Sequence, residues 1–132
     1  MDDLVFEPTE LTPKVDFNLA TGTLELRGRS IPENSKKMFE PMFEWVDLYL
    51  SNPLPETKII LALEYFNTSS SKCILDFLKR FEDVQQQGKS VINIEWHYEY
   101  DDPQMLETGE NYQQMVNIPI KMVSVDRIFV KD

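Results

Sequence analysis

The chain has 132 residues and a formal net charge of −10, with 42% of its residues apolar and 11% aromatic. That length supports one domain with a real core and not two, and the composition is far from that of a disordered chain. The acidic balance argues against nucleic acid or an anionic membrane as partner, because both are held by basic surface.

Residues 1–12 read as an irregular arm, pinned by Leu4, Val5 and Phe6. Val15, Phe17 and Leu19 then alternate with Asp16 and Asn18, and a second alternating run, Thr23 to Arg27, follows a turn containing Gly22. Two such runs predict a β-hairpin. Gly28 to Asn34 connects, with Asn34 or Ser35 as helix N-cap. Met38, Phe39, Met42, Phe43, Val46, Tyr49 and Leu50 recur at helical spacing up to Asn52. Pro41 interrupts that stripe, so either the first turn is kinked or the regular helix begins near Glu40.

Lys58 to Phe66 is an almost uninterrupted apolar run, the pattern of a strand covered on both faces. It ends abruptly in Asn67-Thr68-Ser69-Ser70-Ser71, short polar side chains suited to an N-cap, and Ile74, Phe77, Leu78, Phe81 and Val84 then mark a helix stopped by Gly88. Ser90 to His97 is a further strand with Ile92, Ile94 and Trp96 on one side. Asp102 and Pro103 open a third helix carrying Met105, Leu106, Tyr112 and Met115. Ile118 to Val125 is the last strand, with Pro119 marking an edge or a strand start, and 126–132 form a short tail. The order β-β-α-β-α-β-α-β predicts an α/β (α+β) fold: a mixed, mostly parallel sheet with an N-terminal hairpin and three helices, in a single domain over 1–132.

No apolar run approaches the roughly 18 residues of a membrane span, and Met1-Asp2-Asp3 is unlike a signal peptide, so a cytoplasmic location is expected. The single cysteine, Cys73, excludes an internal disulfide and a cysteine-cage zinc site, and its place beside the apolar stripe suits a small packed side chain. There is no phosphate-binding glycine motif among only four glycines. With His97 the sole histidine and no glycine flanking a serine, a hydrolytic triad has no support. Glu95, His97 and Glu99 fall at i, i+2 and i+4 and share one face of a strand. They are either an exposed strand end or the polar groups of a metal or small-ligand site, although three ligands in a row on one strand converge poorly on one ion. From Lys89 to Lys121 no cation intervenes among Glu95, Glu99, Asp101, Asp102, Glu107 and Glu110, a solvated face or a docking face for a basic partner. The hydroxyl cluster at Thr68 is either an ordinary N-cap or a phosphoacceptor, where phosphorylation adds about −1.5 to −2 charges at a helix end able to accept them.

Ile31-Pro32-Glu33-Asn34-Ser35 with the Phe43-Glu44-Trp45-Val46 helix, Tyr65-Phe66-Asn67-Thr68-Ser69-Ser70, and Trp96-His97-Tyr98 stand in the order and spacing of a known family. The chain resembles the SiaC-type regulatory phosphoproteins, related in fold to the STAS domains of anti-sigma-factor antagonists, over most of its length. Pro41 and Ser71-Lys72-Cys73 depart from that pattern locally. The resemblance implies a partner-switching protein with no catalysis, cofactor or metal of its own. It implies phosphorylation of Thr68 by a protein kinase, reversal by a PP2C-type phosphatase, and activation of a diguanylate cyclase by the unphosphorylated form, with effects on cyclic di-GMP and biofilm. Asn67, Ser69, Ser70, Tyr65, His97 and Tyr98 are then the expected partner-binding residues. No long heptad run demands a dimer, so a free monomer is expected.

Overall fold

The computed structural model describes residues 1–128; the end of the expected tail, 129–132, lies outside the described residues. Three strands come first, β1 (Leu4–Phe6), β2 (Lys14–Asn18) and β3 (Thr23–Ser30), paired antiparallel in that order. The arm is therefore not irregular throughout. Leu4 packs against the core as expected, Val5 and Phe6 stay exposed, and polar contacts add to the pinning: Leu19 N–H donates to Asp3 Oδ1 at 2.8 Å, and Trp45 Nε1 donates to the Asp2 carbonyl at 2.7 Å.

Helix α1 (Ser35–Ser51) is capped by Asn34, whose side chain accepts from Lys37 N–H at 3.1 Å. It runs on through Pro41, so the helix begins well before the proline and not near Glu40. Strand β4 (Glu56–Phe66) follows, then α2 (Thr68–Lys79), the single-turn α3 (Glu82–Gln86), β5 (Val91–Glu99), α4 (Pro103–Met115) and β6 (Ile120–Val125). The helix expected from Ile74 to Val84 is broken at Arg80–Phe81, and α3 closes with Gly88 N–H on the Gln85 carbonyl and Lys89 N–H on the Val84 carbonyl. Among the described residues no helix is long and apolar enough to cross a membrane.

The sheet order is β1-β2-β3-β4-β5-β6, with β3 to β6 parallel. Residues in register share a face, so Phe17, Leu24, Ile59, Ile94 and Ile120 form one row across five strands, and Val15, Leu26, Leu61, Trp96 and Met122 form another. These rows are the core face. Trp45 of α1 and Phe77 of α2 both pack on Phe17, at ring centroid distances of 5.3 and 5.8 Å, and Tyr112 of α4 packs on Trp96 at 5.3 Å. Burying a side chain of this size contributes roughly 1.5–3 kcal/mol.

The opposite rows, Asp16-Glu25-Ile60-Glu95-Lys121 and Lys14-Arg27-Ala62-His97-Val123, carry no helix among the described residues and are laced by ion pairs such as Arg27–Glu25 at 3.1 Å and Lys58–Glu95 at 3.3 Å. The segment after β6 turns back onto this face: Arg27 Nη1 donates to the Ile128 carbonyl at 3.0 Å, and Ile128 N–H donates to Glu99 Oε2 at 3.1 Å. Coverage of β4 on both faces is consequently limited to Leu61, Ala62 and Leu63, and the rest of the strand does not conform to the expectation.

A β-bulge ends the regular pairing of β3 with β4. Gly28 pairs with Leu63 but Arg29 pairs with Tyr65, which leaves Glu64 as the extra residue. Gly28 has φ 118°, a conformation side chains disfavour. The shift turns Phe66 toward the core, edge-on to Trp96 at 6.2 Å, and leaves Tyr65 58% exposed.

Gly109 of α4 is where the helix lies against the sheet most closely, since a Cβ there would stand 2.5 Å from Trp96 Cδ1 and 2.9 Å from Met122 Sδ. Gly109→Ala is expected to destabilise the fold by about 1–3 kcal/mol through overpacking, against the small gain alanine brings to an exposed helix. Urea denaturation checks this, and an unchanged midpoint refutes it.

Candidate functional site

The carboxyl ends of β3 and β4 deliver the chain to the amino ends of α1 and α2, which lie side by side. Both helices open with an asparagine cap, Asn34 and Asn67, and Asn67 Oδ1 accepts from Ser70 N–H at 2.9 Å. Asn67 is itself held by its N–H on the Ser30 carbonyl at 3.0 Å and its Nδ2 on the Pro32 carbonyl at 3.3 Å.

Behind the caps four serine hydroxyls meet. Ser30 and Ser70 stand 2.8 Å apart, Ser70 and Ser35 3.0 Å, Ser35 and Ser69 2.7 Å, and Ser69 donates to Asn67 Oδ1 at 3.2 Å. Ser30, Ser35 and Ser70 are buried, so each proton needs an acceptor. A hydroxyl has one proton, and running from Ser30 to Ser70 to Ser35 to Ser69 to Asn67 Oδ1 gives every proton an acceptor, with Ser35 Oγ also 3.5 Å from Asn67 Oδ1. The reverse direction leaves the Ser30 proton with no acceptor among the described residues. Ser30 and Ser35, absent from the residues expected at the site, are thus parts of it. Local spacing holds no sign of this, because Ser30 lies 40 residues from Ser70 and Ser35 lies 34 from Ser69.

Thr68 is the first residue of α2, exposed, and its Oγ1 has no hydrogen-bond partner among the described residues. It lines a groove of about 690 Å³ between α1 and α2, with Ser35, Lys36, Ser69, Lys72 and Arg80. Arg80 spans the groove, its guanidinium 4.2 Å over the Phe43 ring and 2.8 Å from Asp47 Oδ1. Cys73 lies in the same groove, and burial, followed by the Asp76 carboxylate, pushes its thiol up and keeps it protonated. Tyr112 of α4 donates to the Ser71 carbonyl at 2.8 Å and braces the first turn of α2; burial pushes its hydroxyl up to about 12.

Asn67, Ser69 and Ser70 are therefore brought together beside Thr68, and the other expected residues are not. Tyr65 stands exposed on β4 just before them. Tyr98 shares the core face with Trp96 and packs at the rim of the core. Trp96 is core, 1% exposed, its Nε1 donating to the Met105 carbonyl. His97 lies on the opposite face of the sheet, 2.8 Å from Glu95 Oε1. Glu99, on that same face, is engaged by Ile128 N–H and Arg127. No three potential metal ligands gather among the described residues, so a metal reading of Glu95, His97 and Glu99 gains nothing from the geometry.

A family model described as SiaC family regulatory phosphoprotein matches residues 6–125. An uncharacterized protein of Pseudomonas aeruginosa strain UCBPP-PA14 is 31% identical over 126 residues, covering 96% of this chain and 99% of its own. Among solved structures, SiaC of P. aeruginosa superposes with a TM-score of 0.86 at 30% identity, over 95% of this chain and 100% of that one. SiaC in the structure of the P. aeruginosa diguanylate cyclase SiaD with its activator gives a TM-score of 0.87 at 29% identity, over 93% and 100%.

Asn67→Ala removes both the cap of α2 and the terminal acceptor of the hydroxyl chain, and a loss of about 1–2 kcal/mol is expected in urea denaturation. A change under about 0.3 kcal/mol refutes that role. On the open face, the His97 hydrogen bond and then Lys58 hold Glu95 below its ordinary value of 4.5. Its contribution to stability is complete above that value and is lost as pH falls below it, through the depressed folded value. Glu95→Gln is expected to flatten that part of the acid limb of a stability–pH profile; an unaltered limb refutes it.

Proposed function

The chain belongs to the SiaC family of regulatory phosphoproteins, and on that premise we propose that it is a phospho-switch whose acceptor is Thr68. It is a regulatory protein and not an enzyme. In this reading the unphosphorylated form docks on and activates a diguanylate cyclase in the cytoplasm; SiaC of P. aeruginosa is the activator of the diguanylate cyclase SiaD, with which it forms a complex. A protein kinase silences it by modifying Thr68, a PP2C-type phosphatase restores it, and cyclic di-GMP and biofilm formation follow.

The observation that carries the reading is the exposed Thr68 hydroxyl, without a hydrogen-bond partner among the described residues, at the first position of α2 and on the rim of a groove a partner can fill. A helix amino end accommodates a phosphate without rebuilding the fold, since its N–H groups and dipole favour negative charge there. Asn67, Ser69 and Ser70 hold the acceptor turn in place, while Tyr65 supplies an exposed aromatic ring close by for a partner. His97 and Tyr98, on other parts of the sheet, are weaker candidates for the same contact.

The test is a binding titration and a cyclic di-GMP synthesis assay with the cognate cyclase. Thr68→Ala is expected to bind within about twofold of wild type, and Thr68→Glu or the phosphorylated protein at least about tenfold more weakly, a difference of ~1.4 kcal/mol. Equal binding and activation by all forms refutes the switch.

A further inference from the structure

Resting on the reading of Thr68 as acceptor, we propose that Ser35, on the neighbouring helix, is the residue that directs phosphorylation to Thr68 and away from Ser69. Both side chains are exposed, so access alone does not separate them. Their hydrogen bonding does. Ser69 Oγ donates to Asn67 Oδ1 at 3.2 Å and is met by Ser35 Oγ at 2.7 Å, so its proton and one lone pair are both engaged. Ser70 is buried, and Ser71 Oγ is bound to the Thr68 carbonyl at 2.6 Å. Of the consecutive hydroxyls from Thr68 to Ser71, only that of Thr68 has no protein partner among the described residues.

Phosphoryl transfer needs that freedom. The acceptor oxygen attacks the γ-phosphorus of ATP, the new O–P bond forms as the bond to the bridging oxygen breaks, ADP leaves, and the hydroxyl proton passes to the base of the kinase. Ser69 can do this only after leaving both partners and turning out of the chain. Two net hydrogen bonds of ordinary strength correspond to a preference on the order of 10–100-fold for Thr68. Ser35 is the positioning residue because, among the described residues, its hydroxyl is the only hydrogen-bond partner of Ser69 from outside the acceptor turn, and it is itself held by Ser70.

The experiment maps phosphosites by tandem mass spectrometry on protein expressed in its native host, with folding followed by thermal melting. Wild type is expected to carry one phosphate, on Thr68. Ser35→Ala is expected to keep modification of Thr68 and to raise the share on Ser69 by about threefold to tenfold, and the double variant Ser35→Ala/Thr68→Val to carry its phosphate on Ser69. Ser35→Thr, which retains the hydroxyl, is expected to stay near the wild-type pattern. Wild type modified on Thr68 with Ser35→Ala still modified there alone overturns this inference and leaves the functional reading intact, whereas wild type with no phosphate on Thr68 overturns both. Hydroxyl-proton exchange by NMR on the unmodified wild-type protein decides the matter should Ser35→Ala not fold: slow exchange at Ser69 beside fast exchange at Thr68 supports the assignment, and equally fast exchange at both overturns it.

Discussion

Strands β3 to β6 follow one another across the sheet, and a right-handed crossover between parallel neighbours must then carry each connecting helix over the same face. The aromatic contacts agree, since rings from α1, α2 and α4 all meet the rows that contain Phe17 and Trp96. Successive crossovers between adjacent strands also set α1 beside α2, with both amino ends at the carboxyl edge, the position where open α/β sheets concentrate function. Among the described residues the other face has no helix to bury it, and its charged rows follow from that. Solvent-exposed pairs of this kind contribute about 0–1 kcal/mol each, so they keep the face wetted more than they hold it together.

Bringing two helix amino ends into contact creates a packing problem that apolar residues cannot solve, because each end presents N–H groups without intrahelical partners. Asn34 and Asn67 cap the two ends, and the space between is filled by hydroxyls small enough to fit and able to bond one another. Each buried hydroxyl left without a partner would cost about 1–3 kcal/mol, so the chain is stable as a whole or not at all. Its single direction ends on Asn67 Oδ1, which also receives Ser70 N–H, and both lone pairs of that oxygen are used. The order at the acceptor turn thus originates in α1 and β3 as much as in α2.

Elements with long, consistent periodicity were legible from residues alone: the hairpin, the stripe of α1, the strand into Asn67 and the capped starts of α2 and α4. What escaped depends on contacts between distant residues. Leu4 to Phe6 is too short to show alternation, and it pairs because β2 offers an edge. The break at Arg80 is hidden because the apolar spacing of Phe77, Phe81 and Val84 continues through it. Tyr65 and Phe66 exchanged the faces that alternation assigns them because the bulge beside Gly28 shifted the register by one residue. Asn67, Ser69 and Ser70 were legible as a cap, but Ser30 and Ser35 reach them only through the fold, and His97 proved to be on the other side of the sheet from them.

On the proposed reading, the same architecture explains why a phosphate can act on a partner without disturbing its host. At the first position of α2 the added charge meets the positive end of the helix, an interaction worth about 0.3–1 kcal/mol at an exposed site and favourable to the folded chain. Lys36 and Lys72 line the same groove, so the modified side chain has cations of its own within the protein. A partner seated in the groove faces the opposite balance. It must strip water from a group bearing nearly two charges, and desolvating an ion that is not matched by a cation of the partner costs several kcal/mol. The effect on the fold is small and of favourable sign, while the effect on the complex is large and unfavourable. That difference in scale and sign is what lets one hydroxyl control association while the sheet, the caps and the serine chain beneath it stay as they are.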